Sequence, residues 1–190
     1  MKEGLIKDIY EIIIKEIQTV LTFAYLVFVG IGMIFTYQRY AQFGINIFDY
    51  ADIFEFLIAP FSDLKIMLFS TITLIGVILL LKLDNVIKRK YPKNYARMNF
   101  GWDKKSWFDM YRYSMFAVLF VTYLFISAKV YAKNTAAKIR SGNSATIIYT
   151  NNETTKGIII GKTNSILFIL QNEKVKAIPL NAAVKEFEVN

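Results

Sequence analysis

The sequence contains no cysteine and no histidine. Their absence excludes disulfides, thiolate chemistry, Cys/His zinc sites and the side chain most used as a general base near neutral pH. It leaves the compartment open, because either side of a membrane tolerates a cysteine-free chain. A second absence says more. Three apolar runs, residues 17–38, 66–81 and 113–128, contain no Asp, Glu, Lys or Arg at all. If these cross a bilayer, nothing charged stands inside it. Proton-coupled pumps, voltage sensors and most secondary transporters need intramembrane charge and are disfavoured, while a pore gated by an apolar constriction stays open. An intramembrane enzyme would need a Ser or Tyr nucleophile with no visible base. There is no phosphate loop either. Gly157, Gly161 and Lys162 sit in GIIIGK, which lacks the full spacing and falls between strands instead of opening a helix. No cofactor and no metal site are expected.

What is present is apolar. The 190 residues, room for one or two small domains, are 55% hydrophobic and 16% aromatic, too much for an ordinary soluble domain of this size. The first run has 22 uncharged residues, roughly 33 Å as a helix and enough to span. The other two have 16 each with a basic residue at both ends, which lets Lys and Arg snorkel and extend them. Spans are therefore expected at about 18–38, 65–82 and 112–130, within a helical membrane domain over residues 1–134. The first seventeen residues are charged throughout and no cleavage pattern follows, so no signal peptide is expected. Residues 4–17 instead place Leu5, Ile6, Ile9, Tyr10, Ile13 and Ile17 at helical spacing, an amphipathic helix.

The net charge of +8 is concentrated between Lys82 and Arg112, where nine basic residues face three acids. Beside apolar segments, Lys88, Arg89, Lys90, Lys104 and Lys105 read as a loop lying on anionic lipid, with Trp102 and Trp107 as interfacial aromatics. Lipid is the expected partner and nucleic acid is not. A concentration of Lys and Arg is normally retained in the cytoplasm. Counting basic residues near the spans gives twelve on the side of this loop and six on the other. That predicts a multi-pass protein of the bacterial cytoplasmic membrane, with N-terminus and basic loop inside and C-terminal unit outside. Lys129, Lys133, Lys138 and Arg140, just after the third span, weigh the other way.

Residues 41–63 are too short and too charged to span. Asp49 is expected to cap a short interfacial or re-entrant helix, with Asp52 in its first turn and Pro60 as its stop. Asp49, Asp52 and Glu55 are candidate pore-mouth or cation-attracting acids, set against the plainer reading of a solvated, capped helix. Ser70, Thr71, Thr73, Thr122 and Ser127 could line a polar path or bond across helices.

From Thr135 the pattern changes to a small all-β unit, residues 135–190. Strands are expected at 145–150, 155–161, 165–171, 174–178 and 184–189, separated by turn-formers such as Asn151-Asn152-Glu153 and Lys162-Thr163-Asn164. Asn151, Lys156, Lys162 and Asn164 are candidates to meet a small anionic ligand, although turn chemistry accounts for such residues as well. Five short strands favour a closed barrel over an open sheet. The ending AIPLNAAVKEFEV resembles the last two strands of SH3-like and Sm-like small barrels, which are joined by a single helical turn. Three spans followed by such a barrel look like a reduced version of the small mechanosensitive channels. The chain departs from that family in its third span, which lacks the Gly/Ala-rich pore-lining pattern, and in its charge count, which reverses the orientation. Small bacterial membrane subunits of antiphage systems are similar in plan. The expectation is a non-enzymatic, homo-oligomeric membrane sensor or scaffold whose β unit binds a partner or ligand; a pore-forming oligomer is the alternative.

Overall fold

The computed structural model describes the backbone of residues 2–180 and 184–189 and the side chains of 16–180 and 184–186. Helix α1 covers Lys2–Ala41 without a break. The side chains of the expected amphipathic face at 4–17 fall almost entirely outside the described residues. A 3-10 turn at Ile47–Asp49 leads to α2, Ile53–Ser62; α3 is Leu64–Lys90, α4 Pro92–Met98 and α5 Phe108–Arg140. The segments Glu16–Ala41, Leu64–Lys90 and Phe108–Arg140 are long and apolar enough to cross a membrane. Within one chain, 17–28% of the residues in their most apolar stretches are buried, so most of each hydrophobic surface faces outward, as it does where lipid is the solvent.

Helix α5 is the spine. It packs along α1 through Ala128, Ala132 and Ala136, whose i, i+4 spacing stacks small side chains on one face. Ile31 and Phe35 of α1, Ile66 of α3, and Leu124, Ala128 and Tyr131 of α5 form one core cluster. The helix continues to Arg140, so residues 135–140, expected in the β unit, are its last turns.

The ten-residue helix α2 is folded back on α1. Asp52, not Asp49, is its N-cap: its carboxylate accepts from the N–H groups of Phe54 and Glu55. Asp49 ends the preceding 3-10 turn and accepts from Asn46 Nδ2 at 3.0 Å. The reason lies in Ile47, fully buried, which pulls the chain into a separate turn before the helix begins. Pro60 does not stop α2 but sits inside it, buried, and Asp63 ends it. Asp63 then caps α3, accepting from Lys65 N–H, and its other oxygen accepts from Tyr131 Oη at 2.6 Å. This corner ties α2, α3 and α5 together. The basic segment at the far end also carries a helix that was expected as loop: α4 starts on Pro92, whose fixed φ suits a first helical position.

The β unit is one antiparallel five-stranded sheet in the order β4-β3-β2-β1-β5. Its strands are β1 Ala145–Tyr149, β2 Thr154–Lys162, β3 Ile166–Gln171, β4 Lys174–Pro179 and β5 Val184–Val189, each within two residues of expectation. Ile147, Leu167, Ile169 and Ile178 fill its inner face. The β3–β4 link is a two-residue turn, Asn172-Glu173, with both residues at positive φ, the twist that suits a hairpin. Residues 181–183, where the helical turn before β5 is expected, lie outside the described residues.

Candidate functional site at the helix–sheet junction

The β unit is seated on the helices through a shared core. Tyr40 of α1, Phe56 of α2, Ala136 of α5, Ile160 of β2 and Phe168 of β3 belong to one buried cluster. The seat depends on an irregularity in β2. Ile159 pairs with Ile169 and Gly161 with Phe168, so Ile160 is an extra residue, a bulge that turns it out of the ladder. Its carbonyl is taken instead by Arg39, whose Nη2 donates to it at 2.8 Å. Gly161 makes this approach possible: a Cβ there would strike the Tyr40 hydroxyl and lie 2.8 Å from Arg39 Nη2. The two glycines of GIIIGK thus serve packing, and the second admits an arginine from the end of a membrane-length helix.

On one side of this contact lies a cavity of about 400 Å3, within the size range of small-ligand sites. Thr36 and Arg39 of α1, Glu55 and Ser62 of α2, Lys162 at the end of β2 and Asn164 of the β2–β3 link are in its wall. Most of the wall therefore belongs to the helical side, and Lys162, Thr163, Asn164 and Leu180 of the β unit close the rest. Two cations and one carboxylate face it. Arg39 Nε is buried without a hydrogen-bond partner among the described residues. Arg39 also lies over the Tyr40 ring, 5.2 Å from its centroid, which fixes the plane of the guanidinium.

The structure separates the sequence candidates. Glu55 accepts from the Asn164 backbone N–H and Asp52 Oδ2 accepts from Asn164 Nδ2 at 3.1 Å. These two acids hold the β2–β3 link down on α2, more than a hundred residues away in sequence. Asp49 is not part of that arrangement. Among the described residues no group of three or more acids is placed to hold a metal ion. Of the anion-ligand candidates, Lys162 and Asn164 reach the cavity. Asn151 closes its own turn by accepting from Glu153 N–H at 3.0 Å, and Lys156 is exposed elsewhere on β2. Arg39, the residue that matters most here, stands in the sequence only as the first charge after the apolar run 17–38. Nothing local in the sequence signals its second role, because its partner is the bulge at Ile160.

At the opposite end of the helices, Lys88 pairs with Asp109 at 3.1 Å, while Arg89, Lys90, Lys104 and Lys105 are exposed. The β unit, the acids of residues 49–63 and the C-terminal ends of α1 and α5 all lie at one end of the helices. The basic segment lies at the other.

No family model matches the sequence, and comparison with curated proteins gives no match. Among solved structures, the 1.55 Å crystal structure of the pleiotropic translational regulator Hfq aligns with 32% of this chain and 98% of its own, at 17% identity and a TM-score of 0.24. A score that low carries no weight for fold or function.

Proposed function

We propose that this chain is a non-enzymatic membrane sensor or scaffold, in which an Sm/SH3-like β unit reads a small polar ligand at its seat on three membrane spans. The observation that supports this is the junction cavity, whose walls are shared between the helices and the sheet. A ligand bound between Arg39, Lys162 and Glu55 changes the fit of one unit on the other, so its occupancy is felt by both. The mixed charges suit an anionic or zwitterionic group. The helices anchor the unit and, as a homo-oligomer, cover part of the apolar surface that a single chain leaves outward.

The pore alternative has less behind it. Ser70 donates to the Ile66 carbonyl and Thr122 to that of Val118, and Thr73 bonds both the Phe69 carbonyl and Ser127 Oγ. These hydroxyls are satisfied within the helices and do not define a polar path.

The test is thermal unfolding of the purified full chain in mild detergent, with inorganic phosphate, phosphoserine and adenosine monophosphate added in turn. At a hundredfold excess over its dissociation constant a ligand adds about 2.7 kcal/mol, which raises the midpoint of a chain this size by roughly 5–10 °C. At least one of the three is expected to do so, and Arg39→Gln is expected to abolish the rise. A flat response to all three, or a rise that persists in Arg39→Gln, would sink the reading.

The orientation that accompanies it puts the N-terminus and basic segment in the cytoplasm and the β unit outside. Since the chain has no cysteine, Lys174→Cys, exposed at the start of β4, reports this alone. Labelling of intact spheroplasts by a membrane-impermeant maleimide is expected. Protection until lysis would reverse the orientation and make a cytosolic ligand the one to seek.

A further inference from the structure

The three long helices do not close evenly. Helices α1 and α3 each pack along α5 but scarcely meet, and an apolar crevice of about 570 Å3 runs between them. Phe23 and Val27 of α1, Leu74 and Ile78 of α3, and Phe116 and Phe120 of α5 line it. It follows α3 from Met67 to Leu81, a rise of roughly 21 Å, or about two thirds of a hydrocarbon core some 30 Å thick. Dividing 570 Å3 by that length leaves a mean cross-section of roughly 27 Å2, whereas a helix about 10 Å across needs roughly 80 Å2. A helix from a second copy is too wide to lie inside it. A single unbranched hydrocarbon chain does.

The ends of the crevice differ in charge. One closes under Pro60, beside the acid-bearing segment. At the other, the α3 stripe of Leu74, Ile78 and Leu81 continues at helical spacing to Asn85, Lys88 and Arg89, with Lys82 at its margin. Lys88 is held by Asp109, and Asp84 by Arg112. Lys82 and Arg89 are exposed, and neither has an ion-pair partner among the described residues. Positive charge at the mouth and hydrocarbon along the length match one kind of molecule.

We propose that the crevice holds an acyl chain of an anionic phospholipid whose headgroup meets Lys82 and Arg89. This rests on reading the three helices as membrane spans, and a preliminary step separates the two. Membranes carrying the full chain are washed with alkaline carbonate; release of the protein would end the membrane reading itself. The retained protein is then delipidated in detergent, and dioleoyl phosphatidylglycerol or dioleoyl phosphatidylcholine is titrated back while complexes are counted by native mass spectrometry. One phosphatidylglycerol per chain is expected, bound at least tenfold more tightly than phosphatidylcholine. Ala117→Phe, which puts a ring into the crevice, is expected to weaken both lipids at least tenfold. Ala24→Leu repeats the test from the α1 wall should Ala117→Phe lower the melting point. Lys82→Gln with Arg89→Gln is expected to erase the preference for phosphatidylglycerol and leave phosphatidylcholine unchanged. Glycerol 3-phosphate alone is not expected to compete. The proposal is overturned if integral protein retains neither lipid, if filling the crevice changes nothing, or if glycerol 3-phosphate displaces the lipid. It is equally overturned if lipid is excluded by a dimer that Ala117→Phe dissociates.

Discussion

Replacing Gly32 by alanine is expected to unseat helix α2 and to cost about 3 kcal/mol, as overpacking a close contact does. The cause begins with Pro60. A proline has no N–H, so the carbonyl four residues earlier, that of Phe56, loses its helical partner. That carbonyl points at α1, and a Cβ built on Gly32 would overlap its oxygen and crowd its carbon at 2.6 Å. The obstacle is backbone, so no side-chain rotation relieves it. Helix α2 must move, and Glu55 and the Asp52 cap move with it, which disconnects Asn164 and opens the junction cavity. The measurement is the thermal midpoint in detergent, together with protease sensitivity of residues 42–63. Both are expected to change in Gly32→Ala, and the stabilisation by ligand is expected to vanish. Gly30, two residues away, has nothing within 4 Å of its Cβ position. There alanine is expected to be neutral or to stabilise by up to about 1 kcal/mol, its propensity advantage in a helix. Equal midpoints for Gly32→Ala and Gly30→Ala would refute this account of how α2 is held.

That contact shows where sequence reading reaches and where it stops. The strands were legible because Ile, Val and Phe runs alternate with Asn-rich turns, a signal written within a few residues of each strand. The three long helices were legible from uncharged length. The extension of α5 to Arg140 was not, because Lys129, Lys133, Lys138 and Arg140 look like the end of a span. Its buried face is written in Ala128, Ala132 and Ala136, small residues that resemble turn or linker composition until α1 is laid against them. Gly32 and Pro60 were both visible, one as a glycine within the first apolar run and the other as an expected helix stop. Their meaning is joint: the proline frees the carbonyl that the glycine receives. The same holds at the candidate site. Asp52 and Glu55 were picked out as acids, and Lys162 and Asn164 as turn residues, but each pair explains the other only once the β2–β3 link rests on α2. Arg39 and the bulge at Ile160 make a third such pair. Non-local complementarity of this kind has no periodicity to betray it.

The largest loss is expected at the other end of the helices, from Asp84→Ala. Arg112 is 5% exposed and stands where α3 and α5 meet the basic segment. Its Nη1 donates to Asp84 Oδ2 at 3.2 Å and to Asn85 Oδ1 at 2.9 Å, and its Nη2 donates to the Tyr113 hydroxyl at 3.3 Å. Asp109, exposed, lies 3.6 Å from Nη2. Asp84 has a second duty. Burial raises the Tyr95 phenol above its ordinary value of 10.0, so it stays protonated at neutral pH and donates to Asp84 Oδ2 at 3.2 Å. One carboxylate thus joins α3, α4 and α5. Removing it leaves a buried guanidinium with two neutral acceptors and only the exposed Asp109 as a counter-charge, 3.6 Å away, and breaking one partner of a buried pair costs about 3–5 kcal/mol. Asp84→Asn keeps an acceptor for both donors and is expected to cost clearly less. If uncompensated charge is the cause, Asp84→Leu combined with Arg112→Met is expected to recover most of the stability, because an apolar pair of similar volume replaces the ionic one. If Asp84→Ala melts with the wild type, or the double substitution melts no higher than Asp84→Ala, the charge is not what holds this corner. The recovery matters for the membrane as well: with Arg112 occupied by Asp84, Lys82 and Arg89 remain the unpaired cations beside the crevice. The double variant should therefore keep its phosphatidylglycerol preference, while Asp84→Ala, with a guanidinium released, should not keep the wild-type value.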